Sequence, residues 1–375
     1  MRSSYVAVLD IRSSDITAVV GDRGVNSTFI IKSKYTAQYD GYAEGDLLDM
    51  DSFKAAVSNV LSRTLASNKG LKAIYIGVPG EFIKLINADE TLSFETVKRI
   101  TPQDLKELRL MATPKSDGVW TEIRHGCLYY VLSDKRKVID PVGAMGDSLK
   151  GRFCFYMCSQ AFIACVQAAL KPFPQLTDIR LIPLVHAEAM YLIEPEKRDD
   201  VAVLFDLGYI SSTYSVICGN GVLYTGSFSV GIGHIAFYVS EELEIPFEVA
   251  STFISTVNLN ARGNYGAEEE CMYDGQLYRV TTTDICDKIR DGLDFICSSI
   301  NECADSFRGA NLSLKPINIT GEGVKVIRGA TDHLASRLEK GIEVVSPKVP
   351  YYDKPQFSST FSLLNMALDD ALASR

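Results

Sequence analysis

The feature that most constrains this chain is a hairpin pattern that occurs twice, almost two hundred residues apart, with an aspartate at the tip each time. Val201 to Phe205 is an unbroken apolar run ending in Asp206 and Gly208, and Ser212 to Cys218 is a second run after a few residues. These read as two strands joined by a tight turn. Gly219, Asn220 and Gly221 supply a second turn, and Val222 to Val230 resumes the strand pattern before Gly231 and Gly233 break it. At the start of the chain Tyr5 to Leu9 is an apolar strand, Asp10 ends it, Arg12, Ser13 and Ser14 form the turn, and Ile16 to Gly21 is the return strand. One aspartate at a strand end is ordinary turn chemistry. Its repetition counts against that ordinary reading.

Composition limits the rest. A length of 375 residues, 46% of them hydrophobic and 23% charged, suits a folded protein with more than one core. The net charge of -9, with no cluster of Lys and Arg, excludes a nucleic acid as the main partner. Nine cysteines without CxxC spacing, and no signal peptide, point to a reducing cytoplasm. Cys154 and Cys158 are four apart with no histidine beside them, so no metal site is expected. His125, His186, His234 and His333 are dispersed without a Cys or Ser partner, so no hydrolytic triad and no catalytic residue is assigned. No apolar run is long enough to span a bilayer.

In chain order, Phe29–Ser33 and Tyr35–Tyr39 are strand candidates, and Asp51 or Ser52 can cap a helix carrying Phe53, Val57, Val60, Leu61 and Leu65 at helical spacing. Lys72 to Val78 is a buried strand, giving an α/β domain. From Gly80 the character changes: an extended stretch from Phe82, a helix capped by Thr101, a strand from Trp120 to Leu132, the turn Asp140-Pro141-Val142-Gly143, a strand from Arg152 to Met157 and a helix from Gln160 to Leu170. This reads as a small inserted subdomain. Ile179–Leu181 returns to the sheet, and a helix covers Ala187–Ile193. Beyond the central hairpins, Ile235–Leu243 and Pro246–Val257 read as helices, Asn258–Gly275 as an irregular surface connection, and Asp284 to about Phe307 as a long helix capped by Thr283. Ile317–Thr320 is a short strand leading into Gly321-Glu322-Gly323, followed by a helix over Val324–Lys340, a strand at Ile342–Val345 and a final helix over Phe357–Ala373.

Two Asp-tipped hairpins plus a late strand, a Gly-x-Gly turn and a helix resemble the actin/Hsp70-type ATPase fold. Asp140-Pro141-Val142-Gly143, followed by Gly146 and Leu149, is similar to the inserted subdomain of the bacterial cell-division actin homologue FtsA, as is the tail from Pro355-Gln356-Phe357 to Leu363-Leu364. The resemblance implies an α/β fold of two duplicated domains with a small α+β (SHS2-type) insertion. It divides the chain into domain I at residues 1–83 and 174–198, the insertion at 84–173, domain II at 199–245 and 311–347 with a helical subdomain at 246–310, and a C-terminal segment at 348–375 returning to domain I. It also implies ATP with Mg²⁺ as the ligand, surrounded by Asp10, Arg12, Ser13, Ser14, Asp206, Gly208, Ser211, Gly321 and Gly323.

Departures from the family pattern decide what to expect of that ligand. Arg12 stands where the family has glycine, Tyr209 and Ile210 where its glycine run would leave backbone amides bare, and Ser251 and Ile254 where it has a Glu and a Lys for the ribose and base. An apolar wall of Tyr209 and Ile210 is expected at the Mg²⁺-bound oxygens, with nucleotide binding weak or lost and the protein a pseudo-ATPase. The last helix carries Asp369 and Asp370 and no Lys, and the chain stops at Arg375 without a basic amphipathic segment, so no direct membrane anchor is expected. The leading expectation is a cytoplasmic FtsA-like scaffold with protein partners, FtsZ-like or other division components, and self-association. A PilM-like component of a pilus or secretion machine is the alternative, and a small-molecule kinase of the same superfold ranks last.

Overall fold

The computed structural model describes residues 5–25, 28–115, 117–261 and 266–374. Its opening strand, Val6–Ile11, is buried along its whole length, and successive side chains enter different cores. Ala7, Leu9 and Ile11 pack with Phe53, Val57, Val60 and Leu61 of the helix Met50–Ser67. Val6 and Val8 pack with Phe361, Leu364 and Leu368 of the last helix, Ser358–Ala373. A strand covered on both faces needs apolar residues at every position, which is why this one reads as a continuous run. Asp10 shares the parity of Val6 and Val8 and therefore faces the last helix. It lies inside the strand, opposite Thr17 of Asp15–Arg23, and does not end it.

The two halves have the same sheet topology. The first sheet runs Phe29–Gln38, Asp15–Arg23, Val6–Ile11, Ala73–Val78, Asp178–Pro183, and the second Gly221–Phe228, Ser212–Cys218, Ala202–Asp206, Ile317–Thr320, Ile342–Val344. In each, the first three strands form an antiparallel meander and the last two join in parallel. Ala73–Val78 and Asp178–Pro183 are neighbours in space, so the chain between them leaves the sheet and returns to it. The excursion forms an antiparallel sheet ordered Ile83–Arg99, Met145–Ser159, Trp120–Leu132, Lys137–Val138. The helix Pro102–Ala112, closed by a capping box between Thr101 and Asp104, packs Leu108 on Phe153 and Phe155. The Asp140-Pro141-Val142-Gly143 segment is its surface turn, held where Gly143 N donates to Ile100 O at 2.9 Å.

Several local expectations need correction. Phe29–Gln38 is one strand. Asp49, not Asp51 or Ser52, caps the helix Met50–Ser67, its carboxylate accepting from the amides of both residues. Thr281, not Thr283, caps Thr282–Ser306. Within the stretch read as irregular, Glu268–Tyr273 pairs with Gln276–Thr281 as a hairpin, while residues 262–265 lie outside the described residues. The helix expected over Val324–Lys340 is a 3₁₀ turn, Glu322–Lys325, and a separate helix, Ala330–Leu338. Arg375 also lies outside the described residues. No described helix is long and apolar enough to cross a membrane.

The cap assignment is testable by urea unfolding. Asp49→Ala should cost about 1 kcal/mol, the usual worth of an N-cap, and Asp51→Ala should stay within about 0.5 kcal/mol of the parent. The reverse order would return the cap to Asp51.

Candidate functional site

The two Asp-tipped turns face each other, and a direct hydrogen bond joins them. In the first, Arg12 N donates to Asp15 O at 2.9 Å, and Tyr39 Oη donates to Arg12 O at 2.7 Å. In the second, the carbonyls of Gly208 and Tyr209 accept from Ile232 N and Gly233 N at 3.1 and 2.8 Å, so the first turn of the helix Ile232–Glu242 is spent on this loop. Ile210 N donates across the gap to Ser13 Oγ at 3.1 Å. Ser14 Oγ donates to Glu322 Oε1 at 3.3 Å, linking the first turn to the late one. That late turn requires glycine: Gly321 has φ 100°, and a β-carbon there would fall 2.2 Å from Asp206 Oδ1.

Arg12 is the one cation among the residues lining this gap, and its donors are engaged. It grips Asp15 with two nitrogens, Nε to Oδ1 at 3.0 Å and Nη2 to Oδ2, while Nη1 donates to Gln356 O at 2.8 Å and lies 4.0 Å from Glu322 Oε2. Burial works against its charge, but Asp15, Asp10 and Glu322 outweigh that and hold the guanidinium protonated.

Carboxyl groups crowd the floor. Asp10 is fully buried, and its Oδ2 accepts from Ser359 Oγ and Thr360 Oγ1, both at 2.6 Å, while Oδ1 has no hydrogen-bond partner. Glu188 comes from the apolar helix Leu184–Leu192, is buried, and has Oε1 without a partner. Burial raises the pKa of Asp10, and burial followed by repulsion from Asp206 and Asp10 raises that of Glu188 well above the ordinary carboxyl range. Asp206 is pushed up to about 7, first by burial and then by Glu322 and Asp10. Thr320 Oγ1 donates to Ser358 Oγ at 2.6 Å, tying the second sheet to the start of the last helix.

The cavity left between these groups is about 50 Å³. That is space for a few waters, where small-molecule pockets span about 300–1,000 Å³. A nucleotide does not fit these residues as they stand: the volume is too small, Arg12 is committed, the Ile210 amide is taken, and the remaining charge is acidic.

Of the residues singled out from sequence, Arg12, Ser13, Asp206, Gly208, Ser211 and Gly321 line the cavity. Asp10 lies behind it, Ser14 is turned to Glu322, and Gly323 is packed beneath Leu207 and Ile232. The apolar wall expected from Tyr209 and Ile210 is not there. The Tyr209 ring packs on Gly233 and Ile210 on Gly41, so the obstruction comes from the Ile210 amide bond and from the C-terminal segment. Ile254 belongs to the core of the second half, and neither it nor Ser251 lines the cavity. His186 is a packing residue, stacked on Tyr156 at 4.7 Å, and His234 accepts at Nδ1 from Gly231 N, capping its own helix. Sequence reasoning missed Glu188, Gln356, Ser359 and Thr360. The detectable signals were a lone carboxylate in an apolar helix and a Ser-Ser-Thr run opening another.

No family model matches the chain, and no curated protein matches it in sequence. Solved structures do match it over nearly its full length. It is similar to a chain of a PilM-PilN type IV pilus biogenesis complex (TM-score 0.63, 15% identity, 98% of this chain and 99% of that one). It is similar to MreB 5 of Spiroplasma citri bound to AMPPNP (TM-score 0.58, 9% identity, 100% of both chains). It is also similar to the ethanolamine utilization protein EutJ from Carboxydothermus hydrogenoformans (TM-score 0.52, 13% identity, 98% of this chain and 90% of that one). The fold is that of the actin-like ATPases. Identities this low establish the fold and leave the role to the site.

The carboxyl cluster gives a pH dependence. Folding raises Asp206 from 3.8 to about 7, so between those values the folded chain holds more protons than the unfolded one and this group's contribution falls as pH rises. His186, pushed down to about 3 by burial, acts with the opposite sign from there to 6.5. Asp206→Asn removes the first effect, eases the repulsion that raises Glu188, and leaves the His186 effect in place. Between pH 5 and pH 7.5, urea unfolding should show the parent losing roughly 1–2 kcal/mol relative to that variant; parallel profiles would refute the raised pKa.

Proposed function

We propose that this chain is an actin-fold scaffold that works through protein contacts, with weak or absent ATP binding and no efficient ATPase activity. The observation that carries this reading is the Ser13–Ile210 hydrogen bond, which spends on the protein itself a backbone amide of the second turn, where the fold's phosphate contacts are expected. Arg12 supports it, because its donors are directed to Asp15 and Gln356 and a phosphate would have to displace them. Within this class we favour an FtsA-like role in bacterial cell division, in the cytoplasm, with FtsZ-like or other division proteins as partners and with self-association. Its warrant is the likeness of the Asp140-Pro141-Val142-Gly143 turn to the FtsA insertion. A PilM-like role in a pilus or secretion assembly is the second reading, favoured by the full-length similarity to the PilM-PilN complex.

Calorimetric titration with Mg-ATP and Mg-ADP tests the shared part. No heat and no shift in Tm at millimolar nucleotide is the expected result, and micromolar binding would overturn the scaffold reading. Purified FtsZ and PilN, each titrated against the chain, separate the two roles.

A further inference from the structure

The helices Ile232–Glu242 and Thr282–Ser306 cross closely on the outer side of the second half, where Gly292 meets Ile235: a β-carbon on Gly292 would lie 3.0 Å from Ile235 Cγ2. Beside this contact lies a groove of about 350 Å³ whose walls include Val230, His234, Tyr238, Phe295 and Glu302. Tyr238 and Phe295 meet edge-on at 5.7 Å, yet Phe295 is 56% exposed, and Phe237, on the same helix as Tyr238, is 57% exposed. Aromatics left in water beside a concave apolar floor are the usual anchors of a protein interface.

The rim is acidic. Lys288 is paired with Glu242 and lies 3.9 Å from Asp291, whereas Glu241 and Glu302 have no cationic partner among the described residues. Glu241 is one helical turn beyond Tyr238 and Glu302 two turns beyond Phe295, so both charges fall beside the aromatics that line the groove. A second copy of this chain, with net charge -9, is repelled by such a rim.

We propose that this groove receives an amphipathic helical segment of a partner protein, its apolar residues seated against Tyr238 and Phe295 and its Lys or Arg residues on Glu241 and Glu302. The inference rests on the scaffold reading only for its purpose, since the groove is separate from the cleft. Nucleotide titration tests that reading and leaves this one untouched.

The probe is a fluorescein-labelled peptide of about 18 residues with leucines at i, i+3, i+4 and i+7 and lysines elsewhere, with a Leu/Glu peptide of the same pattern as control. Anisotropy should show binding of the Leu/Lys peptide alone, weakened about tenfold by Tyr238→Ala with Phe295→Ala and made less salt-dependent by Glu241→Gln with Glu302→Gln. Phe295, Glu241 and Glu302 are exposed and Tyr238 half-buried, and matching circular dichroism spectra will confirm that the variants fold. The proposal fails if the Leu/Lys peptide does not bind, if the Leu/Glu peptide binds as well, or if the aromatic variants bind like the parent. It fails equally if sedimentation shows a dimer of the parent that the aromatic variants abolish, because the occupant would then be a second copy.

Discussion

The closed arrangement of this molecule depends on a carboxyl group buried in its first strand. Asp10 is fully shielded from solvent, and a buried carboxylate without partners would be costly. Ser359 and Thr360 supply two hydroxyl donors from the first turn of the last helix, where the unpaired helical amides also favour negative charge. Satisfying Asp10 therefore fixes where the last helix begins. That placement sets the segment before it, so Gln356 O receives Arg12, and it puts Ser358 against Thr320 of the second sheet. A need created in the first strand is met by the last helix, and the link extends to the other half of the molecule.

The same cluster explains why the cavity is acidic without being torn apart. Asp10, Asp15, Glu188, Asp206 and Glu322 surround one guanidinium, with Lys34 near enough to attract Asp15 and Asp10, and five ionised carboxylates around so few cations would repel strongly. The structure relieves this unevenly. Asp15 takes the bidentate grip of Arg12, Asp10 takes the hydroxyls, and burial together with mutual repulsion raises Asp206 and Glu188 so that protons replace part of the missing positive charge.

Much of this was legible in the sequence because both halves use strands whose burial pattern is strict. Val6–Ile11 and Ala202–Asp206 show as apolar runs broken only by the carboxylate that matters, and the late glycine turn shows as Gly321-Glu322-Gly323. Elements with one weakly covered face were harder to read. In Glu268–Tyr273 the half-buried positions are Glu269 and Cys271, so no apolar alternation announces a strand, although its partner presents Tyr278 and Val280 to the same side. The break before Ala330 comes from Gly329 in a left-handed conformation, which periodicity does not register. Glu188 was invisible for a different reason: nothing local distinguishes it, and only the docking of its helix brings it to Asp206.

Magnitudes decide how far the closed cleft suppresses binding. The hydrogen bonds that cross between the halves or to the last helix include those from Ile210 to Ser13, Ser14 to Glu322 and Thr320 to Ser358. At about 1 kcal/mol each, they favour the closed form over an open one by on the order of a hundredfold. A ligand that requires the open form loses that factor in apparent affinity, so an intrinsic micromolar site would present itself at about 0.1 mM. The chemistry inside is unchanged by opening: the Ile210 amide would be freed, but Arg12 would stay held by Asp15, with Glu188, Asp206 and Glu322 still lining the space. The interactions on the outer faces carry no such penalty, because they leave the halves where Asp10 and the last helix have placed them.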